Sequence, residues 1–381
     1  MAEPRRYFPP LESDGGWRVL TGKAEAATKG GVDIDRLRLA WEYNLHSKAK
    51  PKTPEEQAAN PQDSRIEPPA RSSAVAVVRH GYLVGEWYQS ADKTSRWNIC
   101  SCTKSLTGTA FGMLFEDSRK AALPGGKRIS LDSPAYDFIP EGHPLSDPRK
   151  ARITIRHLLS MSSAINGEKS GIFGVQPAAG VGRFEMALGR GPATNGANAS
   201  TLMGEPGEHW DYSDAAFAHL SLIFRAASGM ELVDYLERRV FEPIGFRGYD
   251  WGAFGGEGGT IGPHTISFSD MRTNARDMAR FGYLHLAGGE WAGRQVVPAA
   301  WIQEATRTSQ ALNRDYGLTW WVNTAGTLWP SLPRDAFAAM GYFGNKCYVV
   351  PSLDLVAVRL ADGPWPWDEV PFLSSVMEAI R

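Results

Sequence analysis

A serine and a lysine three positions apart, Ser101 and Lys104, stand where a buried helix is predicted to begin. Residues 97–100 have the pattern of an extended segment, and residues 105–117 carry apolar side chains at helical spacing. Side chains at positions i and i+3 share one face of a helix. A serine hydroxyl becomes a strong nucleophile when a base takes its proton, and lysine can be that base where its surroundings favour the neutral amine. The pair therefore predicts nucleophilic catalysis by Ser101.

The Ser-x-x-Lys spacing alone is not specific, because it occurs three times in the chain. Ser47 and Lys50 lie in a polar, proline-flanked run, and Ser90 and Lys93 lie in a polar turn. Such breaker-rich surroundings are typical of solvated loops. Only Ser101 is followed by a helix rich in small and apolar residues, which can bury the lysine beside it. The context selects Ser101 as the candidate nucleophile.

A second candidate element is the segment 205–214, in which a Pro-Gly turn leads to Tyr212 and then to the start of a helix. A tyrosine at this position could relay protons between a serine and a leaving group, if nearby positive charge favours the phenolate. The alternative is a half-buried tyrosine that packs the loop. Ser213 or Asp214 can cap the helix, and we expect Asp214 to act as an N-cap rather than as a catalytic acid.

A third candidate element is the glycine-rich run at residues 340–345, which precedes the last predicted hairpin. Its glycines could let a substrate lie along an edge strand and expose a backbone N–H to an oxyanion. Gly341 and Tyr342 are therefore candidate residues of an oxyanion hole. The alternative is an ordinary glycine-rich turn before a strand, and the run alone does not decide between the two.

The composition is that of an ordinary globular protein with an ample core, since 43% of the 381 residues are hydrophobic and 22% are charged. A net charge of −1 provides no basic field, so neither nucleic acid nor a membrane surface is expected as a partner. The first residues lack the apolar core of a signal peptide and no window reaches the length of a membrane span, which predicts a cytoplasmic protein. The three cysteines are expected to be small buried thiols rather than a disulfide framework.

The order of strand and helix patterns predicts an α/β (α+β) fold. Valine-rich runs around a glycine turn predict a hairpin over residues 74–88, and a matching pair of runs predicts a second hairpin over residues 346–360. Helical patterns dominate between the hairpins, at residues 155–161, 214–227, 231–240, 275–286 and 298–306. We therefore expect an antiparallel sheet built from the N- and C-terminal parts, flanked by helices, with a mainly helical region inserted.

The corresponding domain division has three parts. Residues 1–70 form an N-terminal part, in which an irregular arm at 1–31 precedes a short helix at 34–45 and a proline-rich surface loop at 48–69. Residues 71–120 plus 250–381 form the α/β domain, which closes with a helix over 372–380. Residues 121–249 form the inserted, mainly helical domain.

Together, the three candidate elements resemble the motifs of the serine β-lactamase and penicillin-binding-protein superfamily. Two further segments look like sequences of that superfamily, RITIRHLLSMSS at residues 152–163 and NARDMARFG at residues 274–282. The likeness covers about residues 70–380 and is greatest to the class C-like branch, which includes family VIII carboxylesterases and 6-aminohexanoate-dimer hydrolases. The chain has no Gly-x-Ser-x-Gly elbow, zinc motif, phosphate loop or dinucleotide fingerprint that would indicate another family.

The resemblance implies the β-lactamase/transpeptidase-like fold and a role for each candidate residue. Ser101 would be the acylated nucleophile, Lys104 the general base or proton relay, and Tyr212 the second member of the base pair. The backbone N–H of Ser101 and one from the strand near Gly341 and Tyr342 would form the oxyanion hole. No metal or organic cofactor is implied.

Two departures from the superfamily pattern bear on the substrate. The second motif usually reads Tyr-x-Asn, but here its third residue is Asp214, whose carboxylate only accepts hydrogen bonds and would favour the charged form of Lys104. The third motif usually opens with lysine or histidine followed by threonine and glycine, whereas this chain has Ala339, Met340 and Gly341. The missing polar groups would hold the carboxylate of a β-lactam or peptide, so an ester or an uncharged amide fits better.

These features predict a serine hydrolase that acts through a covalent acyl-enzyme on small carboxylic esters. An amide hydrolase of the nylon-oligomer, β-lactamase or D-amino-peptidase type is the alternative within the same class. A catalytically silent binding protein of the same fold is the alternative from another class, and Asp214 and the altered third motif support it. The expected partner is a small-molecule ester or amide, and the oligomeric state is open, a homo-oligomer included.

Overall fold

The computed structural model of the protein describes residues 6–50, 68–167, 176–196, 198–255 and 258–381. Most of the predicted surface loop at 48–69 lies outside these residues. The described α-helices are α1 (Lys23–Thr28), α2 (Ile34–His46), α3 (Thr103–Arg119), α4 (Ile155–Leu159), α5 (Arg183–Leu188), α6 (Asp214–Ser228), α7 (Leu232–Ile244, with a π-helical turn inside it), α8 (Ala275–Leu286), α9 (Ala299–Ala305) and α10 (Val370–Ala379). The described strands are β1 (Arg18–Val19), β2 (Ser73–Arg79), β3 (Tyr82–Gln89), β4 (Trp97–Asn98), β5 (Tyr249–Trp251), β6 (Ala253–Phe254), β7 (His264–Thr265), β8 (Met271–Thr273), β9 (Glu290–Trp291), β10 (Arg294–Gln295), β11 (Trp321–Val322), β12 (Phe337–Gly341), β13 (Asn345–Val350) and β14 (Leu355–Ala361).

The main sheet has seven strands in the order β1-β3-β2-β14-β13-β12-β11, and it is antiparallel except where β1 runs parallel to β3. Its strands come from residues 18–89 and 321–361, so the prediction of a sheet built from the N- and C-terminal parts is confirmed. Both predicted hairpins are present as well. The first turns at His80 and Gly81, which have left-handed backbone conformations with φ of 52° and 77°.

The central strands of the sheet are covered on both faces, which explains their continuous apolar sequences. All seven residues of β2 are buried, and so are all seven of β14. Side chains alternate between the two faces of a strand, so a strand covered on both sides needs apolar residues at every position. Val75 and Val77 pack in the layer that contains α2 and α10, whereas Ala74, Ala76 and Val78 pack in the layer that contains α8.

The N-terminal arm is more regular than the sequence predicts. It contributes β1 to the edge of the sheet, and α1 precedes the expected α2. Glu12 forms ion pairs with Arg276 and Arg280 of α8, and Arg280 also donates to the carbonyls of Pro9 and Pro10. These partners lie more than 250 residues apart in the chain, so no local sequence pattern could reveal the contact.

The helix α3 lies in the middle of the molecule and carries the first candidate element. Every residue from Thr103 to Leu114 is buried, and α3 packs against α6, α7, α9 and β12. This burial is what the apolar sequence after Ser101 predicts. No described helix is by itself long and apolar enough to cross a lipid bilayer, and α6 and α7 reach that length only as a pair that is bent by 65°.

Candidate active site

Ser101 lies at the centre of a single 3₁₀ turn, Cys100–Cys102, which leads directly into α3 and is called the nucleophile turn below. Cys100 has a left-handed conformation with φ of 49°, which is uncommon for a residue other than glycine. Its backbone N–H donates to the side-chain oxygen of Asn98 at 2.9 Å, and the N–H of Cys102 donates to the carbonyl of Ile99 at 3.1 Å. The chain therefore bends sharply after β4 and leaves Ser101 partly exposed at the start of a buried helix.

The side chain of Lys104 is buried, with 1% of its surface exposed, and its amine has three hydrogen-bond acceptors. Nζ lies 2.8 Å from Oγ of Ser101, 2.7 Å from Oδ1 of Asp214 and 3.2 Å from the carbonyl oxygen of Phe268. An ammonium group has three protons and no lone pair, so these three acceptors satisfy its charged form. In this arrangement Lys104 donates a hydrogen bond to Ser101.

The interpretation of Asp214 as the helix cap is wrong. Ser213 is the N-cap of α6, because its Oγ accepts from the N–H of Ala216 at 3.0 Å while donating to the carbonyl of Asn166 at 2.8 Å. Asp214 is the first residue of the helix, and its carboxylate forms the ion pair with Lys104. A buried cation needs such compensation, so Asp214 belongs to the site. The local sequence could not decide which of two adjacent polar residues caps the helix.

Tyr212 also lies beside Lys104, whose Nζ is 4.7 Å from the centre of the phenol ring. The ring is largely buried and stacks on Trp321, with 6.2 Å between ring centres, while Tyr316 meets its edge at 6.3 Å. Burial raises the pKa of Tyr316 well above its ordinary value, and the proximity of Tyr212 and Asp214 raises it further. Tyr316 therefore stays a neutral phenol and packs Tyr212 in place beside the cation.

The end of β12 lies directly against the nucleophile turn. A Cβ atom at Gly341 would be 2.2 Å from the carbonyl oxygen of Ile99 and 3.2 Å from the backbone nitrogen of Cys102. Gly341 has an extended conformation with φ of −134°, so this close approach, rather than the backbone conformation, requires glycine. Tyr342 follows, and its half-buried ring packs on Trp365 with 4.4 Å between ring centres. The structure thus brings the third candidate element to the first.

Asn345, the last residue of the third candidate element, was not expected to have a role of its own, but it connects the end of β4 with the residues that follow β12. It is fully buried at the start of β13, and its side-chain amide donates to the carbonyl of Asn98 at 3.1 Å and to that of Tyr342 at 2.8 Å. Its side-chain oxygen accepts from the N–H of Ala361 at 2.9 Å. The buried Arg359 supports the same turn by donating to the carbonyls of the two residues before Asn345. The available signal was an amide side chain between the glycine-rich run and a strand whose residues are all buried.

The cysteines that flank Ser101 do not compete with it as nucleophiles. Burial raises the pKa of Cys100 to about 12, and it raises the pKa of Cys102 and of Cys347 well above the ordinary value, so all three stay neutral thiols. None of the three forms a disulfide, and Cys102 and Cys347 are buried as the sequence predicts. In the described ranges, no group of three or more His, Cys, Asp or Glu side chains is arranged to bind a metal ion.

A cleft of about 180 Å³ adjoins the site at Asp214 and Phe268, both of which accept a hydrogen bond from Lys104. Its walls come from α5, the first turn of α6 and strand β6, and most of its lining side chains are apolar. Arg183 of α5 is the cationic residue among those that line it. Ser101 and Lys104 do not line the cleft, so it adjoins the site only through Asp214 and Phe268.

We expect the substitution Gly341→Ala to lower kcat/KM for the ester hydrolysis that the sequence predicts by about tenfold or more, because the added Cβ would push β12 away from the nucleophile turn. The same overpacking should lower the free energy of unfolding by about 1–3 kcal/mol. Hydrolysis of a chromogenic ester and urea unfolding would measure the two effects.

Gly22→Ala is a matched control for this substitution, because a Cβ there would meet nothing nearer than the Glu25 carboxylate at 4.0 Å. It should change neither activity nor stability appreciably. Normal activity in Gly341→Ala would show that the close approach of β12 to the nucleophile turn does not matter for the reaction.

Comparison with known proteins finds a family and relatives for the chain. A family model described as Beta-lactamase matches residues 65–370. Among curated proteins, the 6-aminohexanoate-dimer hydrolase of Paenarthrobacter ureafaciens is 23% identical over 322 residues, which cover 77% of this chain and 74% of that protein.

Solved structures show the same fold. A family VIII carboxylesterase is similar with a TM-score of 0.62 at 17% identity, over 91% of this chain and 97% of that chain. A penicillin-binding-protein homologue from Caulobacter crescentus is similar with a TM-score of 0.62 at 15% identity, over 91% of this chain and 96% of that chain. These findings confirm the fold class and the resemblance that the sequence predicts.

Proposed function

Because the chain belongs to the Beta-lactamase family, we propose that it is a serine hydrolase that forms an acyl-enzyme at Ser101 and acts on small carboxylic esters. The observation that carries the proposal is the 2.8 Å contact between Oγ of Ser101 and Nζ of Lys104, in a site where Asp214 compensates the buried charge. Burying a charged lysine is unfavourable unless it is paired and hydrogen-bonded, so a buried Lys–Asp pair in contact with a serine is an arrangement that a catalytic role would explain.

In the acylation step, Oγ of Ser101 attacks the carbonyl carbon of the ester and its proton must leave. Charged Lys104 has no lone pair to receive that proton, so Tyr212 takes it as a phenolate that the adjacent ammonium stabilises. The bond from the carbonyl carbon to the alcohol oxygen then breaks. The proton passes from Tyr212, with Lys104 as relay, to the departing alkoxide, which leaves as an alcohol.

The tetrahedral intermediate needs hydrogen-bond donors for its negative oxygen. We assign this role to the backbone N–H of Ser101 and to one N–H of the chain near Gly341 and Tyr342. Within the described chain, β11 pairs only with residues 337 and 338 of β12, so the last residues of β12 have β13 as their one strand neighbour. A substrate carbonyl can therefore approach the strand at this edge. Water then attacks the acyl-enzyme by the reverse route and releases the carboxylic acid.

The apolar character of β12 favours esters over substrates held by a third-motif cation. Its sequence is FAAMG, so the strand offers no charged or hydroxyl side chain. The nearest lysine along the chain, Lys346 of β13, is buried and pairs with Glu369 at 3.3 Å. An alkoxide is also a better leaving group than an amine anion, so an ester makes the smaller demand on proton transfer.

Amide hydrolysis is the second candidate, because the relative from Paenarthrobacter ureafaciens is named a 6-aminohexanoate-dimer hydrolase. The same Ser101, Lys104 and Tyr212 would serve that reaction, with proton donation to the leaving nitrogen as the more demanding step. Ester and amide hydrolysis therefore differ in rate rather than in the residues that carry them out.

A fluorophosphonate probe and a paired substrate panel test the proposal. We expect the probe to attach covalently to Ser101, as located by peptide mass spectrometry, and short-chain nitrophenyl esters to be hydrolysed faster than the nitroanilides of the same acids. Faster hydrolysis of the anilides would favour the amide hydrolase. A protein that neither reacts with the probe nor hydrolyses either set would be the silent binding protein.

A further inference from the structure

Strand β12 offers no cationic or hydroxyl side chain to an anionic group of a substrate, because all its side chains are apolar. The cleft differs from this strand. The cleft beside Asp214 contains Arg183, the first residue of α5, and the remaining lining side chains near it are mostly apolar. A single cation in an apolar wall is an arrangement suited to binding one charged group and a hydrocarbon chain.

The guanidinium of Arg183 is held in a defined orientation. Its centre lies 4.3 Å from the centre of the Phe254 ring, over which it is placed, and its Nη2 donates to the side-chain oxygen of Gln176. Within the part of the chain that the structure describes, no carboxylate forms an ion pair with Arg183. A guanidinium has five N–H donors, so those that are not bonded to Gln176 remain in the plane of the stacked group, where they can bind a planar anion such as a carboxylate.

Glu185, two residues after Arg183 in α5, ties the helix to the segment that follows Phe254. Glu185 accepts hydrogen bonds from the backbone N–H groups of Thr260 at 2.6 Å and Ile261 at 3.0 Å, in the segment between β6 and β7. Because Phe254 belongs to β6, this contact holds the ring of Phe254 and the helix that carries Arg183 in one unit. The orientation of the guanidinium is therefore built into the fold.

The cleft is also connected to the reacting groups. Asp214 and Phe268 line it and both accept hydrogen bonds from Lys104, which in turn contacts Ser101. The Asp214 carboxylate does not make the cleft anionic, because Lys104 compensates its charge at 2.7 Å. Among the described residues that line the cleft, Arg183 is thus the charged group without an ion-pair partner.

We propose that Arg183 binds a carboxylate of the substrate, so that the preferred substrates are esters whose acyl or alcohol part is a short chain ending in an anionic group. This inference rests on the proposed hydrolysis at Ser101 and specifies its substrate class. A cleft of about 180 Å³ is smaller than the roughly 300–1,000 Å³ that is usual for drug-sized ligands, which suits a short chain. Arg183 takes over, from the helical side, the anion recognition that β12 lacks.

Two matched substrate pairs test the proposal. The acyl-side pair is mono-para-nitrophenyl adipate against para-nitrophenyl hexanoate, and the alcohol-side pair is para-carboxyphenyl acetate against phenyl acetate. We expect the charged member of at least one pair to have a kcat/KM about tenfold higher or more. Arg183→Gln should remove this preference through KM, with kcat and the neutral substrate little changed, and Arg183→Lys should keep part of it.

Arg190→Gln is the matched control, because Arg190 is exposed just after α5 and does not line the cleft. It should leave the preference for the charged substrate unchanged.

A second experiment measures binding by the melting temperature, which does not depend on turnover. Monomethyl adipate, and not methyl hexanoate, should raise the melting temperature of the Ser101→Ala variant, and the additional change Arg183→Gln should abolish the increase.

The outcomes separate this inference from the proposed function. Equal hydrolysis of both members of each pair, or a preference that survives Arg183→Gln, would overturn the role of Arg183 and leave the esterase assignment intact. Absence of hydrolysis together with an Arg183-dependent rise in melting temperature would overturn the esterase assignment and support the anion site. Absence of both effects would overturn the anion site.

Discussion

Replacing Ser101 with alanine is expected to lower kcat/KM for ester hydrolysis by about 10⁴-fold or more and to abolish labelling by a fluorophosphonate. The variant should fold normally, because Lys104 keeps Asp214 and the Phe268 carbonyl as acceptors when the serine oxygen is removed. The expected change in the free energy of unfolding is within about 1 kcal/mol. Kinetics with a chromogenic ester and urea unfolding measure the two quantities.

Ser105→Ala is a control on the same helix for this prediction. Ser105 is buried and donates to the carbonyl of Thr319 at 2.8 Å, away from the amine of Lys104. Its removal should lower stability by about 1 kcal/mol and leave hydrolysis nearly unchanged. Activity that persists in Ser101→Ala and disappears in Ser105→Ala would reassign the nucleophile.

The residues that the sequence could predict are those that a local pattern marks. The apolar helix after Ser101 singled out one of three Ser-x-x-Lys spacings, and the same rule of apolar periodicity predicted α2, α6 and α8. The paired valine-rich runs predicted the two hairpins, because a strand covered on both faces must be apolar throughout. In each case the signal lies within one helix or one hairpin, which is a continuous stretch of the chain.

The residues that the sequence missed depend on contacts between distant segments. Phe268 contributes a backbone carbonyl to Lys104, and any residue type could supply that group. Asn345 connects Asn98 with Tyr342, which requires β13 to lie beside the end of β4. Long-range contacts of this kind leave no periodic trace in the sequence.

The role of Asp214 could not be settled locally, because the sequence offered two polar residues for one helix cap. The structure assigns the cap to Ser213 and the ion pair to Asp214. The consequence is chemical, because the carboxylate holds Lys104 as a cation that donates to Ser101. In the mechanism proposed above, Tyr212 then supplies the lone pair that receives the proton of Ser101. On that proposal, Asp214 shifts the proton-accepting role from lysine to tyrosine, and the contribution of Lys104 becomes the decisive quantity to measure.

Lys104→Met is expected to lower kcat/KM by about 10³-fold or more, because the phenolate of Tyr212 and the leaving alkoxide would both lose the adjacent cation. The variant should also be less stable by about 1–3 kcal/mol, since the carboxylate of Asp214, whose side chain is 24% exposed, would lose its partner. Ester hydrolysis and urea unfolding measure the two losses.

The double variant Lys104→Met with Asp214→Asn separates the two losses. The neutral amide leaves no uncompensated charge beside the methionine, so the double variant should recover most of the stability while its activity stays low. If the double variant were as unstable as Lys104→Met, the ion pair would not be the cause of the destabilisation. If Lys104→Met hydrolysed esters at the normal rate, the buried amine would play no part in proton transfer, and Tyr212 would have to activate Ser101 without it.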